Sequence, residues 1–132
     1  MLGKFSPQIY ALMRIAIGLL FAQHGGQKIL GLFGGMGDDG ATAAVGSMMF
    51  FAGLIELVGG LLIAVGFKAD YAAFLSSGQM ASAYFMAHAG RALMPIQNRG
   101  ELAVVYAFIF LYIASKGSGV WSVDACFGSK KT

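Results

Sequence analysis

Charge is what this sequence has least of. Only 11% of its 132 residues are Asp, Glu, Lys or Arg, against roughly 25% in soluble globular domains. A chain so poor in charge cannot clothe an ordinary water-facing surface. Nine basic and six acidic residues leave a net charge of +3. The lysines and arginines are scattered singly, and Lys130-Lys131 is too short for a basic patch, so no nucleic-acid partner is expected. The single Cys126 cannot form an internal disulfide, and no Cys/His spacing suggests zinc. The glycine-rich stretch from Gly31 to Thr42 lacks G-K-[ST], which excludes a P-loop. No internal repeat is visible. No A-x-A-like cleavage site follows the N-terminal apolar run, and Arg14 interrupts it, so it reads as a retained first helix rather than a signal peptide.

What the chain has in excess is apolar surface. Hydrophobic residues make up 58%, against a usual ~45–50%. Twenty glycines accompany them, as suits membrane helices whose backbones approach closely. The longest apolar run covers the 25 residues from Ala43 to Phe67, enough to cross a bilayer core that needs ~20 helical residues. Glu56 is its one ionisable residue. A carboxylate at that depth costs at least ~2.5 kcal/mol on insertion scales, so it requires a partner and a use.

The pattern predicts one membrane domain over 1–132: an all-α integral membrane four-helix bundle. Its helices fall at about 7–32, 43–67, 70–89 and 101–116, followed by an interfacial tail over 117–132 in which Trp121 suits the headgroup level. Ser6-Pro7 starts the first helix, with Ser as N-cap and Pro at the first helical position. Lys4, Lys68, Lys116, Lys130 and Lys131 gather on one side. Lys28, Arg91 and Arg99, offset by Asp38, Asp39 and Glu101, fall on the other. The positive-inside bias therefore places both termini in the cytoplasm.

The polar residues predict an interior site. Glycines 46, 53 and 60 share one face of the second segment with Glu56, which points the carboxylate at a closely packed neighbour. The first segment carries a matching stripe of Arg14, Gly18, Phe21, Gly25 and Lys28. Depth along the two antiparallel helices suggests an Arg14–Glu56 ion pair; the alternative is that Arg14 snorkels to headgroups and Glu56 is protonated. Near the outer face, the first segment brings Gln23, His24, Gln27 and Lys28 to the level of Tyr84, His88 and Arg91 on the third, with Glu101 opening the fourth.

Three uses of that pocket compete. A quinone needs an apolar slot, imidazole-type donors for its oxygens and a carboxylate for proton exchange. A b-type haem needs two imidazoles, which His24 and His88 supply; only then would they be metal ligands. In the plainest reading the histidines are merely interfacial and hydrogen-bonded. The eight methionines show no thioether cluster and read as packing filler.

The residues also carry a family resemblance. RIAIGLLFAQHGGQKILGLFGG, with its R-x₃-G…H-G-x-x-K pattern, resembles the first helix of the DoxX family. FFAGLIELVGGLLIAVG, with G-x-x-E-x-x-G-G, resembles the second, and Tyr84 through His88 to Pro95 the third. NRGELAVVYAFIFLYIASKGSGVWSVD resembles the closing segment. The resemblance covers nearly the whole chain and implies a small four-helix protein of the bacterial or archaeal plasma (inner) membrane. It places the family's motif residues on Arg14, His24, Lys28, Glu56, His88, Asn98, Glu101 and Asp124. One branch of that family is a subunit of a thiosulfate:quinone oxidoreductase, and others are linked to quinone detoxification or to oxidative-stress complexes with a thiol-handling partner. A bare four-helix chain has no soluble domain for a thiosulfate half-reaction.

The resulting expectation is a quinone-binding or redox-accessory subunit working with a partner oxidoreductase. His24 and His88, with Gln27, Lys28, Tyr84 and Arg91, would form the quinone site, and Glu56 or Glu101 would exchange the proton. The alternatives are a non-catalytic membrane anchor or assembly factor, and a bis-histidine haem b protein. Lipid and either a protein partner or a second copy of the chain complete the expected partners.

Overall fold

The computed structural model describes residues 1–128. Lys130 and Lys131, used above for orientation, and the end of the tail lie outside the described residues. Among the described residues, besides 3-10 turns at Gly3–Phe5 and Leu32–Gly34, six helices follow one another: α1 (Ser6–Leu30), α2 (Met48–Val65), α3 (69–88), the short α4 (Pro95–Asn98), α5 (Glu101–Lys116) and the short α6 (Val123–Cys126). Among the described residues there is no strand, only an isolated bridge between Met36 and Ala41. The fold is all-α, as expected.

Two stretches, Gly3–Leu30 and Met48–Val65, are long and apolar enough to cross a membrane. The outside of the molecule is apolar on every long helix: Leu12 and Leu19 on α1, Phe51 and Leu61 on α2, Phe74 on α3, and Phe108 and Leu111 on α5 are exposed. The inside holds the charge. Arg14 is 0% exposed and Glu56 2%. Water as the surrounding solvent would favour the reverse arrangement.

The ends of the elements explain the boundaries. Gly31 closes α1 in the left-handed conformation at φ 67°. Gly46 stands at φ 83° and Ser47 caps α2 by accepting a hydrogen bond from Phe50 N at 3.2 Å. The second helix therefore begins at Met48 rather than Ala43, and Gly46 belongs to the loop instead of the glycine face. The glycines that do form the seam are Gly18 and Gly25 on α1 against Gly60 and Gly53 on α2. A Cβ on Gly18 would lie 2.6 Å from Gly60 O, one on Gly60 would lie 2.6 Å from Gly18 O, and one on Gly25 would lie 2.6 Å from Gly53 O. The two antiparallel backbones touch, as small residues permit.

α3 packs along α5, and Phe21, Ile63, Ala73, Met80, Tyr106, Phe110 and Ile113 form the shared core. Two helices contain π-helical turns, Ile55–Gly59 in α2 and Tyr84–His88 in α3. Each widens the helix by one residue per turn at a position that carries candidate site residues, a placement common at functional sites.

Candidate functional site

Glu56 is the centre of the interior. Lys28 Nζ donates to both of its carboxylate oxygens, at 2.5 and 2.7 Å, and Gln79 Nε2 donates to Oε1 at 3.0 Å. Three helices thus meet on one carboxylate: Lys28 from α1, Glu56 from the π turn of α2, Gln79 from α3. Lys28 is 22% exposed and Glu56 2%, so the cation leads from the surface inward to the acid.

The expected Arg14–Glu56 pair is not formed; Lys28 takes that place. The reason is side-chain direction. Cα–Cβ bonds tilt toward the N-terminus of their helix. In the antiparallel pair, Glu56 leans toward the start of α2 and Lys28 leans back along α1, so the two converge. Arg14, on the same helix as Lys28, leans the same way, which carries it away from Glu56 and toward the C-terminal end of α2.

There both terminal nitrogens of the Arg14 guanidinium are engaged by carbonyls. Nη1 donates to Ile63 O and Ala64 O, both at 2.7 Å, and Nη2 donates to Trp121 O at 2.8 Å and Val120 O at 3.3 Å. The first two are among the last carbonyls of α2, which have no partner within the helix and carry the negative end of its dipole. Asp124 Oδ2 accepts from Lys68 N at 2.8 Å and from Ser118 Oγ at 2.5 Å, and Tyr10 donates to Gly117 O at 2.6 Å. Arg14 and Asp124 therefore bind the tail to the α2–α3 turn and to α1. Their place in the sequence pattern is structural.

The two histidines have different neighbours. His24 packs edge-on against Tyr106 of α5, ring centroids 6.2 Å apart. His88 stacks on Tyr84 at 6.5 Å, and its Nδ1 lies 3.1 Å from Asn98 O. Asn98 is 1% exposed. Its amide donates to Tyr84 Oη and to Ala92 O, each at 3.1 Å, while its Oδ1 accepts from Gly100 N at 2.8 Å. Tyr84, His88 and Asn98 thereby hold the α3–α5 connection in shape. Among the described residues no contact joins His24 to His88.

The remaining expected members are dispersed. Gln27 is half-buried near Lys28, while Arg91 and Glu101 are exposed, the latter in the first turn of α5. Lys28, expected as a member of the quinone site, is the ion-pair partner of Glu56. Gln79 was missed. Its signal was a lone amide three residues after a serine on an apolar helix; the neighbouring Ser77 Oγ faces the other way and donates to Ala107 O at 2.7 Å.

A cleft of about 640 Å³ lies at the opposite end, lined by Lys68, Tyr71, Lys116, Ser118 and Ser122 among others. Among the described residues no cluster of three His, Cys, Asp or Glu side chains suits a metal ion.

Comparison with known proteins places this arrangement. The chain is similar to an uncharacterized protein of Haemophilus influenzae, with 39% identity over 133 residues covering 98% of each chain. No solved structure matches. The sequence profile of DoxX matches residues 9–89, a span that includes most of α1 and all of α2 and α3, with Arg14, His24, Lys28, Glu56, Gln79 and His88. The family is membrane-associated, in keeping with the apolar exterior and the buried ion pair. The chain belongs to the DoxX family.

Proposed function

We propose that this protein is a multi-pass four-helix subunit of the bacterial or archaeal plasma (inner) membrane that binds a quinone and assists a partner oxidoreductase. The observation that carries the proposal is the buried Glu56 carboxylate, clamped by a cation from α1 and an amide from α3. The four long helices measure ~38, ~27, ~30 and ~24 Å at ~1.5 Å per residue, close to the ~30 Å of a bilayer core. The lysine bias puts both termini in the cytoplasm and Lys28 toward the outer face.

The donor set fits a quinone. Lys28 and His24 supply donors on one helix, and Phe21 and Tyr106 supply aromatic walls beside His24. Bound quinone would supply two-electron, two-proton chemistry, with the electrons coming from the partner oxidoreductase. In this chain Glu56 holds or releases the proton. Lys28 pairs with the carboxylate, and Gln79 fixes its orientation. His24 donates to a ligand oxygen. His88, Tyr84 and Asn98 shape the outer loop over the site.

The anchor reading draws on a different feature, the tail-side cleft at Lys68 and Lys116, which offers a partner protein a polar recess at the membrane surface. One experiment separates the two. The protein in lipid nanodiscs is equilibrated with decylubiquinone, and the retained quinone is measured per chain against protein-free discs. Retention near one per chain, reduced at least tenfold by Glu56→Gln and by His24→Ala but unchanged by Lys116→Gln, supports the quinone site. Retention no higher than in the protein-free discs sinks it and favours the anchor.

A further inference from the structure

Two oxygens behind Glu56 are unaccounted for. Ser76 is 0% exposed, and among the described residues its Oγ has no hydrogen-bond partner. Gln79 Oε1 is likewise buried and unpartnered. Ser76 and Gln79 are three residues apart on α3, so their side chains lie on one face, ~5–6 Å apart at Cβ. Buried polar atoms without partners are rare in native proteins, and each requires an explanation.

The surface opposite supplies one. Gly59 closes the π turn of α2 and is buried. A Cβ built on Gly59 would meet a single neighbouring atom within 4 Å, Ser76 Oγ at 3.0 Å. The other seam glycines are tight against backbone; a Cβ on Gly18 or Gly60 would strike the partner helix at 2.6 Å. Gly59 therefore faces local room bounded by a hydroxyl, with an amide oxygen one turn along. Polar recesses of that kind hold water, whereas dry cavities in proteins are apolar.

We propose that Ser76 and Gln79, facing Gly59, bind an ordered internal water that forms the inner wall of the Glu56 site. The water donates to Gln79 Oε1 and exchanges a hydrogen bond with the Ser76 hydroxyl. Gln79 is thereby held at both ends of its amide, by the water at Oε1 and by Glu56 at Nε2. This fixes the orientation in which NH₂ faces the carboxylate. Ser76 is a positioning residue that acts on Glu56 through the water and Gln79. The inference holds whether or not the site takes a quinone.

Infrared spectroscopy of the full chain in hydrated lipid films tests it, with H₂¹⁶O exchanged for H₂¹⁸O. A water O–H stretch that shifts with the isotope is expected in the wild type. It is expected to vanish in Ser76→Ala and also in Gly59→Ala, where the new methyl occupies the water's place while Ser76 remains. Ser82→Ala, whose hydroxyl already donates to Gly78 O at 2.9 Å on the exposed face, should keep it. The Glu56 carboxylate band should shift in Ser76→Ala, which loss of packing alone would not cause. A second readout is the sign of the stability change. Removing a dry, unpaired hydroxyl would raise the unfolding temperature; removing a water-bonded one lowers it. No isotope-sensitive band in the wild type, a band unchanged in Ser76→Ala, or a stabilised Ser76→Ala protein overturns the proposal.

Discussion

Lys28 and Glu56 reach each other because each leans toward the N-terminus of its own helix and the two helices are antiparallel. Lys28 Nζ lies 2.5 and 2.7 Å from the two oxygens of a carboxylate that is 2% exposed. Removing one member of a buried ion pair costs about 3–5 kcal/mol because the other charge stays buried and unpaired. Lys28→Met should destabilise the protein by that order in detergent unfolding. The double variant Lys28→Met/Glu56→Gln should recover most of the loss, since a neutral amide needs no cation. A double variant destabilised by the sum of the Lys28→Met and Glu56→Gln effects would mean the two charges are not coupled.

The contact of α1 with α2 rests on Gly18 and Gly60, where each Cβ would fall 2.6 Å from the carbonyl oxygen of the other residue. Gly60→Ala must push the helices apart. Overpacking of this kind typically costs about 1–3 kcal/mol. Gly78, with nothing within 4 Å of its Cβ position, is the control: Gly78→Ala on the exposed face of α3 should be neutral or slightly stabilising, since alanine is favoured over glycine within helices. Thermal unfolding of the two variants side by side checks this.

Arg14→Lys should behave as a loss rather than a conservative change. The guanidinium forks to four carbonyls from two segments, and an ammonium is a point charge without that geometry. Each hydrogen bond from a charged group contributes about 1.5–3 kcal/mol, so a loss of about 3 kcal/mol is expected. The tail should detach first, which limited trypsin digestion after Lys116 would report as faster cleavage than in the wild type.

Topology gives a prediction independent of energetics. In inside-out and right-side-out vesicles, native Cys126 should react with a membrane-impermeant maleimide from the cytoplasmic side. A cysteine at Asp39 in the 31–47 loop, introduced into a Cys126→Ser background, should react from the opposite side. Labelling of both from one side would refute the four-span arrangement.

Much of this architecture was legible in the residues. The long helices follow from apolar runs and from Ser6-Pro7, and Glu56 announced itself as a lone acid in 25 apolar residues. The glycine periodicity correctly set Gly53 and Gly60 against α1. The partner of Glu56 was misassigned because depth along a helix locates Cα atoms, while the tilt of side chains decides which pairs converge. Gln79 was missed because polarity on α3 follows two faces, one toward α5 through Ser77 and one toward α2 through Ser76 and Gln79. The π turns at Ile55–Gly59 and Tyr84–His88 have no signature in composition or spacing. They arise where buried polar side chains and close packing override the regular helical repeat.

The fourfold grip of Arg14 has a consequence for biogenesis. Its acceptors at Ile63 and Ala64 are made about fifty residues after it, and those at Val120 and Trp121 more than a hundred. While the ribosome is still working, α1 carries a cation that its own segment cannot satisfy. The first helix is therefore dependent on later-made chain: it gains its first carbonyls only when α2 arrives as the second arm of a hairpin, and its last only when Val120 and Trp121 have been made. Arg14 thus acts as a length check, its four carbonyl acceptors all present only in a chain that extends to Trp121.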